Sequence, residues 1–70
     1  MNTPPPTDPD EIKAARKELG MTQQGLADAL RLKGKGSKDT VRSWEDGRRP
    51  ISGPASVAIA YMLRFGPLED

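Results

Sequence analysis

Ser37-Lys38-Asp39-Thr40-Val41-Arg42-Ser43-Trp44-Glu45-Asp46-Gly47 is the stretch on which the reading of the chain turns. It predicts one short helix. A serine hydroxyl can accept from a backbone N–H two or three residues on, so Ser37 is expected as the N-cap, and Gly47 can take the left-handed conformation that stops a helix. Val41 and Trp44 stand three apart and share a face, which makes them core anchors. Lys38, Asp39, Arg42 and Ser43 then face outward, all able to hydrogen-bond. Lys38 lies in the first turn, where the helix dipole disfavours a cation by about 0.3–1 kcal/mol. A cation held there points to a partner for it.

Working outward, the preceding segments read as two more helices. Asp8-Pro9-Asp10-Glu11 is a helix start, with Asp8 as N-cap, Pro9 where a missing N–H costs nothing and Glu11 reaching back as in a capping box. The helix runs Pro9 to Leu19 and stops at Gly20, with Ile12, Ala15 and Leu19 on one face and Arg16 beside that stripe. Thr22 caps the next, Gln23 to Leu30 or Arg31, with Leu26, Ala27 and Leu30 inward and Ala27 small enough for a close helix crossing. Gly25 is out of place there, at about 1 kcal/mol against alanine. Residues 31–36, R-L-K-G-K-G, join this helix to the next and alternate cations with glycines. The loop suits phosphate contact, Lys33 and Lys35 included, or is a plain solvated connection.

Beyond Gly47, Arg48 and Arg49 leave the helix end. A last helix follows, capped by Ser52 or Gly53, with Pro54 first and Gly66-Pro67 as its stop. This helix, 54–65, is apolar nearly all round, and a surface helix needs only one apolar stripe. The surplus, Val57, Tyr61 and Phe65 with Arg64 among them, suggests a homodimer interface; a small core wrapping the helix on two sides is the other reading. Residues 1–7, with three successive prolines, read as a disordered tail, 8–66 as the domain and 67–70 as a short C-terminal tail. The expected fold is all-α, a compact bundle of four or five short helices.

Composition removes whole classes of function. With no cysteine and no histidine, disulfides, thiolate metal sites, and Ser–His or Cys–His nucleophile pairs are excluded by residue type. Asp8, Asp10 and Glu11 are explained as caps without a metal, and 70 residues are too few to expect a ligand-sized pocket, so no cofactor, metal, small-molecule ligand or enzyme activity is expected. The longest mainly apolar run, Ala55 to Leu63, is too short to span a bilayer, and a small disulfide-free domain fits the cytoplasm. The formal net charge is only +1, but residues 31–49 hold seven cations against three anions, net +4, while the rest is net −3. A chain so polarised is steered toward a polyanion in one orientation; the bland alternative is a solvated face.

M-T-Q-Q-G-L-A-D-A-L (21–30) followed by S-K-D-T-V-R-S-W-E-D-G-R-R-P (37–50) resembles the helix-turn-helix of Cro/repressor-type (XRE-like) DNA-binding proteins, whose pattern runs T-Q-x-x-L-A-x-x-L and then V-x-x-W-E-x-G. The chain departs from it twice. The usual L-G-V-S joint is replaced by a loop about four residues longer, and Gly25 stands where an acidic residue often closes a capping box. The resemblance implies a lambda-repressor-like domain that binds double-stranded DNA. It places Lys38, Asp39, Arg42 and Ser43 at base edges or the adjoining backbone, and Thr22, Gln23, Lys33, Lys35, Arg48 and Arg49 at phosphates. Arg42 or Lys38 could pair with guanine O6 and N7; Asp39 could accept from a cytosine amino group or steady its neighbours. Glu45 matches a position that pairs with a first-helix arginine, so an Arg16–Glu45 bridge is expected behind the reading helix. The implied function is a transcriptional regulator, a repressor of phage or mobile-element type, dimeric on an inverted repeat. The alternative is an antitoxin or other protein-binding module holding its partner through helix 54–65 and the N-terminal tail.

Overall fold

Glu11 opens the first helix: its carboxylate accepts from the backbone N–H of Asp8 at 3.1 Å and of Thr7 at 3.3 Å, so donors that no helical carbonyl can reach are satisfied. In the computed structural model, which describes residues 4–32, 34 and 36–66, four helices follow in order. They are α1 (Pro9–Glu18), α2 (Gln23–Ala29), α3 (Ser37–Asp46) and α4 (Gly53–Phe65), with no strand among the described residues. The all-α bundle expected from the sequence is the observed architecture, with four helices. None of them is long and apolar enough to cross a membrane.

One core joins the four helices. α1 gives Ile12 and Ala15, α2 Leu26 and Ala27, α3 Val41 and Trp44, and α4 Ala55, Ile59 and Met62, all buried. Leu19, Met21, Leu30, Leu32, Ile51 and Leu63 close its margin. α3 packs mainly on α2 and also on α1, while α4 packs on α1. The anchors Val41 and Trp44 therefore hold α3 from behind, as the three-residue spacing predicted.

α1 and α2 end in the same way with different residues. After α1, the N–H of Gly20 donates to the Lys17 carbonyl and that of Met21 to Arg16, with Gly20 at φ +71°. After α2, the N–H of Arg31 donates to Asp28 and that of Leu32 to Ala27, at 3.0 Å each, with Arg31 at φ +60°. Both are Schellman turns, which call for a left-handed residue and usually use glycine. Arg31 adopts that conformation at a cost of about 1–2 kcal/mol, and Leu32 is thereby turned back onto the core margin.

Three expectations need correcting. Ser37 is not the N-cap of α3; Gly36 is, with no side-chain hydrogen bond. The Ser37 N–H turns back on the Gly34 carbonyl at 3.4 Å, which draws Ser37 into the first turn, buried, where its hydroxyl accepts from Gln24 Nε2 of α2 at 3.4 Å. α4 begins one residue earlier than expected, at Gly53, because Ser52 is the cap and accepts from the Ala55 N–H at 3.4 Å. Lastly, the segment expected to be wholly disordered is docked at its end: Pro6 is buried and its carbonyl accepts from the buried hydroxyl of Ser56 on α4. The remaining expectations for residues 1–3 and 67–70, and for Lys33 and Lys35, fall outside the described residues.

Gly25, anomalous in the sequence, sits directly under the cap of α2. Its N–H is the donor to the capping Thr22 hydroxyl at 2.9 Å, and a Cβ there would stand 3.2 Å from that oxygen and 3.7 Å from Met21 Cβ. Glycine lets the cap close without crowding.

Candidate nucleic-acid interface

The outer face of α3 is presented by a clamp on its inner side. Arg16 on α1 meets Glu45 on α3 through two parallel bonds, Nε to Oε2 at 2.7 Å and Nη2 to Oε1 at 3.1 Å. Its third nitrogen, Nη1, donates to the Met21 carbonyl at 3.0 Å. The Glu45 side chain is 3% exposed and that of Arg16 13%, so the pair is shielded from screening. The hydrogen bond to Glu45 raises the Arg16 guanidinium above its ordinary pKa against the opposing pull of burial, and the charge of Glu45 adds to the rise. The bridge expected from the sequence is present, and its bidentate geometry fixes α3 against α1 in angle as well as distance.

On the outer side, Lys38, Asp39 and Arg42 are exposed as expected. An open groove of about 1030 Å³ runs along this face, lined by Gly36, Asp39, Thr40, Arg42, Ser43, Asp46, Arg48 and Arg49. The backbone after α3 brings the two arginines in. Gly47 stands at φ +79°, and the Ser43 carbonyl collects the N–H groups of Gly47, Arg48 at 3.0 Å and Arg49 at 3.3 Å. A Cβ on Gly47 would also meet Pro9 Cγ at 3.6 Å, so glycine is required here chiefly by its backbone angle. Both arginines are exposed.

Two residues assigned to contact with DNA are used differently. Ser43 is buried and its hydroxyl donates to the Thr40 carbonyl at 2.7 Å, so it does not project as a base-reading side chain. A serine is short enough to bond back to its own helix, and Thr40 does the same toward the Gly36 carbonyl at 3.1 Å. Gln23 is half-buried, and its amide donates to Glu45 Oε1 at 3.4 Å, which places it with the clamp. Thr22, the helix cap, is exposed at the start of α2.

The sequence reading missed Thr40 and Asp46. Asp39, Arg42 and Asp46 recur at i, i+3 and i+7, the spacing of one helical face, and that signal would have found Asp46. Its Oδ2 lies 3.7 Å from Arg42 Nε and 3.4 Å from Arg48 Nη2, an ion pair with each.

α4 carries a second surface of contrary chemistry. Val57, Tyr61 and Phe65 are 59%, 51% and 63% exposed. Pro54, Val57, Ala58 and Tyr61 line a shallow, almost wholly apolar depression. The Tyr61 and Phe65 rings lie 4.7 Å apart, and the Arg64 guanidinium sits over Phe65 at 5.1 Å. All four residues expected at a dimer interface are thus on the exposed side of this helix.

No protein-family model matches the chain, and no solved structure matches it. Over 62 residues, 84% of this chain, it is 39% identical to the type II methyltransferase M1.ScrFI of Lactococcus lactis subsp. cremoris. The match spans only 15% of that protein's length.

Proposed function

We propose that this chain is a sequence-specific DNA-binding regulator that reads the major groove with the exposed face of α3. The observation that carries this reading is the combination at α3: a shielded bidentate clamp behind the helix, and an open face of hydrogen-bonding and charged side chains in front. Such a face, held on a rigid element, suits recognition of base edges, because contacts made by a floating helix would lose their geometry. Lys38, Asp39 and Arg42 read bases; Thr22, Arg48 and Arg49 hold phosphates, with Lys33 and Lys35 adding to them. The action proposed is repression by occupying a promoter, in the cytoplasm, by a protein of phage or mobile-element type.

The exposed face of α4 supports a homodimer whose two α3 helices stand about 34 Å apart on an inverted repeat. Val57, Tyr61 and Phe65, with Pro54 and Ala58 beside them, would form the apolar centre of that contact. The same apolar face supports a second reading, an antitoxin-like module that covers it with another protein. Selection of bound sequences from a random duplex pool tests the first reading. The expected result is a two-fold symmetric site; recovery of no enriched sequence would reject it.

A further inference from the structure

The groove along α3 is less basic than its sequence suggests. Of the three acids in residues 31–49, Glu45 is withdrawn into the clamp, but Asp39 and Asp46 both line the groove beside Arg42, Arg48 and Arg49. Asp46 sits between two of those arginines and engages both with a single oxygen. The Arg48 backbone is already pinned by its N–H on the Ser43 carbonyl at 3.0 Å, so its side chain is what Asp46 orients. The side chains of Arg42, Arg48 and Asp46 remain 61%, 62% and 47% exposed, open to an incoming polyanion.

We infer that Asp46 is a specificity-determining positioning residue, which holds Arg42 and Arg48 in register along the groove and competes with phosphate for both. The inference rests on the DNA-binding reading and deepens it. A duplex of arbitrary sequence offers only its phosphates, and to use these arginines it must displace a carboxylate that already occupies them while bringing its own charge against Asp46. A correct site offers base acceptors as well, and Arg42 can turn to them from the orientation Asp46 gives it. Exposed ion pairs are individually weak, and that suits the task. Each is strong enough to bias a side chain, and weak enough to yield to a bidentate base contact.

The test compares wild type, Asp46→Asn, Asp46→Glu and Glu18→Gln, an exposed α1 acid whose loss removes the same charge elsewhere. Binding of each to a random-sequence duplex and to a selected duplex is measured across a salt series. Asp46→Asn is expected to bind the random duplex about three- to tenfold more tightly at low salt, with a salt slope steeper by about one. Its ratio of selected to random binding should fall by the same factor or more. Asp46→Glu should restore most of that ratio, and Glu18→Gln should leave it unchanged. Random-duplex affinity and slope unaltered in Asp46→Asn would overturn the inference while leaving the DNA reading standing, as would a Glu18→Gln effect of equal size. Wild-type protein that binds neither duplex would overturn both.

Discussion

α3 and α4 both turn about half of their surface away from the core, and they dress it oppositely. On α3 the outward residues are charged, and three of the charges in and just after it are linked to one another through Asp46. On α4 Arg64 is the one charged side chain, and the outward residues are an aromatic pair, a valine and a proline. Each helix buries an apolar stripe, Val41 and Trp44 on α3 and Ala55, Ile59 and Met62 on α4, so these stripes alone cannot distinguish the two helices. The difference lies in what each leaves for a partner: a polar face is content in water and gains little by simple contact, whereas an apolar face gains by any contact that excludes water. On the proposed function, discrimination belongs with the first and association with the second.

That division can be broken most severely at the clamp. Glu45→Ala leaves Arg16 shielded with only the Met21 carbonyl as partner and should destabilise the fold by about 2–3 kcal/mol, lowering the melting temperature by roughly 10–20 °C. Its helical signal on heating is the measurement. Because the folded pKa of Arg16 lies above its unfolded value, the contribution of Arg16 is fully present below the unfolded value and is lost only as pH rises through the higher folded one. The gap between wild type and Glu45→Ala should hence stay constant from pH 7 to pH 10.

Next in size is a contrast within the α3 face. Arg42→Ala should reduce the ratio of selected to random binding by about 10- to 100-fold, whereas Arg49→Ala should weaken both alike and reduce the salt slope by about one. Binding isotherms on the two duplexes decide it, and equal loss of ratio in both variants would dissolve the distinction. A smaller effect is expected on α4. Tyr61→Glu should weaken self-association at least about tenfold in sedimentation on operator DNA, by placing a charge in the apolar patch, and should leave the melting temperature of the free protein nearly unchanged.

Much of this was written in the spacing of residues. Val41 and Trp44, Leu26 and Ala27, and the capping residues at 8, 22 and 52 are local signals, each fixed by helix geometry within a few positions. Arg16 and Glu45, 29 residues apart, were legible only through the resemblance of the surrounding pattern. What stayed hidden depends on choices that a side chain makes after folding. Ser43 can face out or bond back to its helix, and periodicity does not say which. Gln23 could reach a phosphate or the clamp, and only the placement of α3 against α2 decides. Arg31 in a glycine's conformation carries no local signal, because the turn is imposed by Leu32 seeking the core.

The bond between the Ser56 hydroxyl and the Pro6 carbonyl joins positions 50 apart. Bringing two such points together from a loose chain costs about 3.5 kcal/mol in closure entropy, and one hydrogen bond returns about 0.5–1.5 kcal/mol. It cannot recruit the N-terminal segment by itself. It closes only once α1 and α4 have met, when a few residues remain to be ordered. Pro6 is consequently the last piece to arrive and the first to leave. Amide exchange at Thr7, whose N–H is the first after three prolines, would report how often the molecule loosens at this seam, on a clock much faster than unfolding of the whole.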